Sequence, residues 1–325
     1  MAETGPPGSW RDILSARHKE LTVSRAGHAG RLAVVAAFVL SLVAAPGRPG
    51  ADWLAVNVSR PIGPGTAAPA TPRVTVAESK KGVCVWAFKG VNGALKESGA
   101  NWYLTWSTTH DDIATPRGTQ FVPMVLDASS VTAAALAQAE QSGPALLTFN
   151  EPDLNTQADM TVRQALSIWP KLMATNLQLA SPAVAAGAAD TGGWLDRFMK
   201  GIGQRHYRVN FIAIHWYGGD FQTRAAVAQL KSYLEDVHRR YDLPVWLTEF
   251  ALIDFSPAGP IYPTSAEQAA FVTAAVSMLD DLAFVKRYAW FALPAPSSGL
   301  SSGLYTPGPR ATVVGRCLLY TSRCV

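Results

Sequence analysis

The sequence predicts an α/β protein built as a single (β/α)8 TIM barrel, preceded by a signal or anchor segment and a linker. Three observations carry this. After Lys80 the chain repeats short apolar runs rich in Val, Ile, Trp and Phe, and there are eight of them. Helical or loop-like stretches such as Thr161 to Asn176 and Ala225 to Tyr241 separate them, which is the signature of a parallel sheet covered by helices. The first run leads into Lys89-Gly90-Val91-Asn92-Gly93, which lacks the Gly-rich phosphate turn of an open doubly wound sheet.

The eight runs are Gly82 to Phe88, Asn101 to Trp106, Gln120 to Leu126, Ala145 to Asn150, Leu177 to Ser181, Phe211 to Tyr217, Val245 to Phe250 and Arg287 to Leu293. They place the barrel domain at residues 80–316. Ahead of it, the basic stretch ending at Arg31 is followed by Leu32 to Ala45, apolar on every face, and then by Pro46 and Gly47. That is a signal-type apolar region, expected to be cleaved near Ala45. It is short for a membrane span of about 20 residues, so an uncleaved anchor at residues 1–45 is the one membrane contact the sequence allows. Residues 46–79, rich in Pro, Gly, Ala and Thr, cannot bury enough surface to fold alone and read as a linker carrying the Asn57 sequon. A secreted or cell-surface protein is the expectation. Residues 317–325 fit none of these parts.

Bulk properties exclude some classes. Of 325 residues 48% are hydrophobic and 16% charged, which favours a packed core over a disordered chain. The net charge is +4, and +3 of it lies in residues 1–48, so the barrel carries no electrostatic footprint for nucleic acid. Cys84, Cys317 and Cys324 form neither a metal-ligand spacing nor an even disulfide framework. Cys84 reads as a small apolar strand residue. No P-loop, nicotinamide motif or Ser-His-Asp signature occurs, so no cofactor is expected. No metal is expected either: His110, Asp111 and Asp112 are consecutive and cannot converge on one ion, which leaves a solvated loop. A monomer is expected.

Functional side chains of such a barrel project from the C-terminal strand ends. The fourth run ends TFNEPD, placing Glu151 after Asn150, and the seventh ends WLTEFA, placing Glu249 after Thr248. Strands four and seven lie on facing sides of an eight-stranded barrel, so both carboxylates can point across one cleft. Glycosidic cleavage needs that arrangement: one carboxyl protonates the leaving oxygen while the other attacks the anomeric carbon or activates water. Proximity is expected to raise one of the two pKa values. An isolated glutamate would more often be a solvated loop residue, but each of these sits within one residue of an apolar strand's end.

The segments LLTFNEPD, SPA, FIAIHWYGG, LPVWLTEFA and YAWF, in that order, resemble glycoside hydrolase family 128, in the clan of retaining (β/α)8 glycosidases, over Lys80 to Gly315. The resemblance implies an endo-acting β-1,3-glucanase working by double displacement, with Glu151 as acid/base and Glu249 as nucleophile. It implies that Asn150 hydrogen-bonds the sugar 2-hydroxyl, and that β-1,3-glucan polysaccharide or oligosaccharide is the partner. His215, Trp216 and Tyr217 close the sixth run; a lone strand His is more often a core residue, but the triplet at a barrel exit is read as orienting the nucleophile and lining the groove, with Tyr217 bonded to Glu249. Trp290 resembles the aromatic floor under the sugar, with barrel core as its alternative. Trp102 and Trp106 are read as substrate-binding residues of the groove, though they share one strand face by spacing, so at least one of them could pack inside the barrel. Trp194 is either an exposed platform or a helix-start core residue.

Departures from the family pattern are Thr148 where Gly is usual, YLTW in the second run where YNW is usual, and VLDAS after the third. They leave both carboxylates in place and bear on subsite detail. Two rival readings remain: a non-catalytic β-glucan-binding wall protein, and a same-clan β-glycosidase of another linkage specificity.

Overall fold

The computed structural model describes residues 79–320 except 257. The apolar leader, the linker with Asn57, and residues 321–325 lie outside the described residues. Among the described residues no helix is long and apolar enough to cross a membrane.

Eight parallel strand positions close on themselves. β1 (Lys81–Cys84) pairs on one side with β2 (Trp102–Leu104) and on the other with β11 (Val285–Trp290). The third run, written as one strand in the sequence, is divided at Pro123, which has no N–H to give a ladder. Its first half, β3 (Gln120–Phe121), pairs with β2, and its second half, β4 (Met124–Val125), pairs with β5 (Ala145–Asn150). β5 pairs with β6 (Gln178–Ala183), and the bridge between Ala180 and Phe211 joins β6 to β7 (Ile212–Gly218). β7 pairs with β8 (Val245–Leu252), and β8 with β11, completing the ring.

Helices follow most strands: α1 (Val91–Glu97), α2 (Ala133–Ser142), α3 (Val162–Met173), α4 (Trp194–Gln204), α5 (Thr223–Tyr241), α6 (Ser265–Asp281) and α7 (Val313–Tyr320). After β2 the chain runs as loop through residues 105–119, where Asp111 and Asp112 both take positive φ. Two hairpins, β9 (Asp254–Ser256) with β10 (Gly259–Ile261) and β12 (Tyr305–Thr306) with β13 (Arg310–Ala311), rise from the loops after β8 and β11.

Local chemistry sets the helix ends. Thr161 and Gln164 form a capping box on α3, and Thr264 and Glu267 form another on α6, each satisfying backbone N–H groups that have no helical partner. At the other end of α6 the Lys80 ammonium donates to Leu279, Asp280 and Leu282 carbonyl oxygens, a favourable placement for a cation at a helix C-terminus.

The last helix corrects an expected boundary. Instead of the barrel ending at 316, α7 runs through Cys317 and Leu318; Leu318 is buried, and the buried Lys81 ammonium donates to its carbonyl oxygen at 2.9 Å.

The N-terminal end of the barrel is plugged by aromatic side chains. Trp102 and Trp246 lie 5.6 Å apart, Phe211 stacks on Trp246 at 4.1 Å, and the Arg287 guanidinium sits over the Trp246 ring at 4.5 Å. Trp102 donates its indole N–H to Lys80 O at 3.0 Å. Gly82 makes room for this ring, since a Cβ there would stand 2.4 Å from Trp102 Cε2. Trp102 is therefore a buried plug at the end opposite the C-terminal mouth, a correction to its expected place in the substrate groove.

Candidate active site

The period-two alternation of β7 sorts its last residues. His215 and Tyr217 point into the barrel mouth, whereas Trp216 points outward and stacks on Phe271 of α6 at 5.6 Å. Trp216 thus belongs to the helix–sheet interface, not to the groove expected from sequence. On β8 the same alternation turns Glu249 inward and Phe250 outward against Phe271. On β11 it turns Trp290 outward: the ring is fully buried between Phe250 and Phe271, and its N–H donates to Ser302 O at 2.7 Å. On the cleft side stands its neighbour Phe291, whose ring faces Tyr217 at 5.6 Å, Trp106 at 5.9 Å and Trp86 at 6.0 Å.

Glu151 and Glu249 are both buried at the mouth. Ligand-type atoms of Glu151, His215 and Glu249 all lie within 4.8 Å of one another, so a carboxylate oxygen of each glutamate falls inside that distance. His215 stands between them. Its Nδ1 is 2.8 Å from Glu151 Oε1, and its Nε2 is 3.5 Å from Glu249 Oε1. The closer partner is Glu151, so this His orients the first glutamate more directly than the second, the reverse of its sequence reading.

Two donors converge on Glu249. Trp106 Nε1 gives a hydrogen bond to Oε1 at 2.8 Å and the Tyr217 hydroxyl gives one to Oε2 at 2.5 Å. An ionised carboxylate only accepts, and this one is met by a donor on each oxygen. Both glutamate-facing turns hold positive φ, 44° at Glu151 and 59° at Trp106. Non-glycine residues reach that region at a cost, and surrounding structure must impose it. For Glu151 the restraints are its N–H to Ala183 O at 2.8 Å and its carbonyl accepting from Leu154 N at 3.0 Å.

Beneath Glu249 lies Cys84, fully buried, its thiol 3.3 Å from Thr248 O. Burial, with the nearby Glu249 charge, pushes that thiol's pKa well up, so it stays a neutral packing group.

Asn150 is buried beside Glu151 and donates from Nδ2 to Gln157 Oε1 at 3.1 Å. Trp194 lies outside the mouth: it stacks on Phe198 at 5.5 Å, donates to Met160 O at 2.7 Å, and lines a groove of about 820 Å³ with Pro152, Arg163 and Arg197. A second hollow, about 200 Å³, is walled by Trp86, Phe88, Tyr262 and Phe291. Sequence reasoning named neither Trp86 nor Phe291. Alternation counted along β11 would not have found Phe291, because the pairing with β8 shifts register between Tyr288 and Trp290 and sets Trp290 opposite Phe250 rather than Glu249.

Glu151, His215 and Glu249 are the group of described residues whose donor atoms come close enough to suggest a cation. Their atoms already serve one another and the Trp106 and Tyr217 donors.

A parallel barrel that buries two glutamates this close at its C-terminal mouth defines a class of protein, the glycoside hydrolases. Comparison with known proteins agrees, and the chain belongs to the glycosyl hydrolase catalytic core family, whose model matches residues 83–315. Among solved structures it is similar to a GH128 (subgroup I) endo-β-1,3-glucanase from Amycolatopsis mediterranei in complex with laminaritriose. Identity is 51%, 75% of this chain and 99% of that one are covered, and the TM-score is 0.72. A GH128 (subgroup II) endo-β-1,3-glucanase from Sorangium cellulosum is 25% identical over 76% of this chain and 100% of that one, with TM-score 0.63. Alkali-sensitive linkage protein 1 of Schizosaccharomyces pombe is 29% identical over 222 residues; the match spans 66% of this chain and 38% of that protein's length.

Proposed function

We propose that the protein is a retaining endo-β-1,3-glucanase, with Glu151 as acid/base and Glu249 as nucleophile. The observation that carries the reading is the approach of the two carboxylates to within 4.8 Å. Retaining glycosidases need about 5 to 5.5 Å between carboxyl groups, whereas inverting ones need about 6.5 to 9.5 Å to admit a water. In the first step Glu151 gives its proton to the glycosidic oxygen as a Glu249 oxygen bonds the anomeric carbon and the bond to the leaving sugar breaks. In the second, Glu151 takes a proton from water, whose oxygen displaces Glu249 and leaves a product of retained configuration.

The side chains around the pair suit these roles. Trp106 and Tyr217 hold the attacking carboxylate in one orientation, and His215 holds Glu151. Preorganisation of this kind places reacting atoms without reorganisation at the moment of reaction. Asn150 is assigned to the sugar 2-hydroxyl, and Phe291 with Trp86 offers apolar ring faces to the sugar on the nucleophile's side. Trp194, in the groove behind Pro152, is assigned to the leaving portion of the glucan chain. The Amycolatopsis enzyme has been solved with laminari-oligosaccharides in forms where either of two glutamates is replaced, and those two are separated by nearly the same stretch of chain as Glu151 and Glu249.

The residues ahead of the barrel fit export and attachment near a glucan-containing wall: an apolar leader at 32–45, then a linker to 79. Action on β-1,3-glucan is tested by reducing ends released from laminarin beside β-1,4- and β-1,6-glucans, with NMR of the first-formed anomer. Selective cleavage of laminarin with a β-anomer first supports the proposal, and an α-anomer or silence on every β-1,3-glucan refutes it.

A further inference from the structure

Asn150 makes a contact that the catalytic pair itself does not require. Its Nδ2 donates to Gln157 Oε1 at 3.1 Å, while its Oδ1 is buried with no hydrogen-bond partner. A buried acceptor left unpaired costs free energy, so the orientation must be imposed from outside the amide. With Gln157 Oε1 facing Nδ2, turning the Asn150 amide over alone would set its oxygen against the Gln157 oxygen, acceptor against acceptor.

Gln157 is half-buried, and the turn that carries it is folded back on the strand end. Ala158 N donates to Asn150 O at 3.1 Å, Met160 N to Pro152 O at 3.0 Å, and Gln157 N to Leu154 O at 3.2 Å. The turn therefore grips Asn150 through main chain and side chain together. Of the two amide hydrogens of Asn150, Gln157 takes one, which fixes the amide plane and the direction of the other.

We propose that Gln157 is a positioning residue: by accepting one Asn150 N–H it aims the second at the 2-hydroxyl of the sugar being cleaved. The proposal rests on reading Glu151 and Glu249 as a glycosidic pair. Hydrogen bonds to the 2-hydroxyl strengthen as the oxocarbenium-like state develops, so Gln157 acts on kcat more than on KM.

The test compares an aryl β-laminaritetraoside with the analogue lacking the 2-hydroxyl at the reacting ring, in wild type, Gln157→Leu, Gln157→Ala and Gln157→Glu. For the wild type the deoxy analogue is expected to lose about a hundredfold or more in kcat/KM. In the Leu and Ala variants the parent glycoside loses about ten- to a hundredfold, mostly in kcat. The deoxy penalty then shrinks to about tenfold or less, because the contact it measures is already gone. Gln157→Glu, an acceptor in either orientation, keeps the penalty large. Thermal melts identify any variant that fails to fold, and Leu and Ala substitute for each other in that event. A penalty undiminished in the folded Leu or Ala variant overturns the role, as does a penalty lost in Gln157→Glu. Absence of turnover of the parent glycoside by the wild type removes instead the reading beneath it.

Discussion

Trp106 reaches Glu249 across 143 residues of sequence, its indole N–H donating to Oε1 at 2.8 Å from a backbone held at φ 59°. Hydrogen bonds to a charged group contribute about 1.5 to 3 kcal/mol. Trp106→Phe keeps an aromatic ring and deletes the donor. It should lower kcat/KM on laminarin by about ten- to a hundredfold. The melting temperature should move little, and full activity in Trp106→Phe would show that this hydrogen bond to Glu249 carries no catalytic weight.

Tyr217 holds the other oxygen of the same carboxylate. Tyr217→Phe is expected to cost a similar factor, and the Trp106→Phe/Tyr217→Phe double variant to depart from the product of the two single effects, since both donors restrain one group. Strict additivity of the two in log kcat/KM argues that they act on separate steps.

Exogenous azide separates the roles of the two glutamates. With an activated aryl β-laminarioside, Glu151→Ala should form the glycosyl-enzyme and release a β-glycosyl azide, whereas Glu249→Ala should yield the α-azide by direct displacement. The reverse pattern, read by NMR of the isolated azides, would exchange the assignments.

Gly82 is a packing position. Its Cβ would lie 2.4 Å from Trp102 in the barrel plug, so Gly82→Ala must displace a ring boxed in by Trp246 and Arg287. Overpacking of a core costs about 1 to 3 kcal/mol. A melting temperature about 3 to 10 °C lower is expected by calorimetry, and an unchanged one would mean the plug yields freely.

Asp196, buried at the start of α4, carries the pH prediction. The Lys200 ammonium and the Gly192 N–H, with Arg240 beyond them, hold its carboxyl well below the usual carboxylate range. A folded pKa below the unfolded one stabilises the protein above about pH 4 and loses that contribution as the pH falls further. Asp196→Asn should therefore be less stable by about 1 to 3 kcal/mol near neutral pH. Denaturant melts should show the gap closing below pH 4; a gap that widens in acid contradicts the assignment.

Much of this was legible in one dimension. Glu151 directly follows the fourth apolar run and Glu249 stands one residue before the end of the seventh, and a closed barrel sends such residues to one mouth, so strand order and alternation sufficed. Tyr217 was reached in the same way. Trp290 was not, because the pairing of β11 with β8 shifts register between Tyr288 and Trp290, and a one-residue slip changes which face a side chain takes. Trp216 misled for a related reason: beside two inward residues, an aromatic at odd spacing looks functional until α6 supplies Phe271 as its partner. Pro123, which divides β3 from β4, lay inside what read as one continuous run.

By itself the sequence determined the strand succession, the two glutamates at facing strand ends and the apolar leader ahead of them, since these rest on periodicity and chain order. Only the tertiary structure decided which aromatic rings meet the cleft, that His215 leans to Glu151, and that Gln157 holds Asn150. Those are contacts fixed by strand register, local φ and the packing of helices that the linear pattern does not contain.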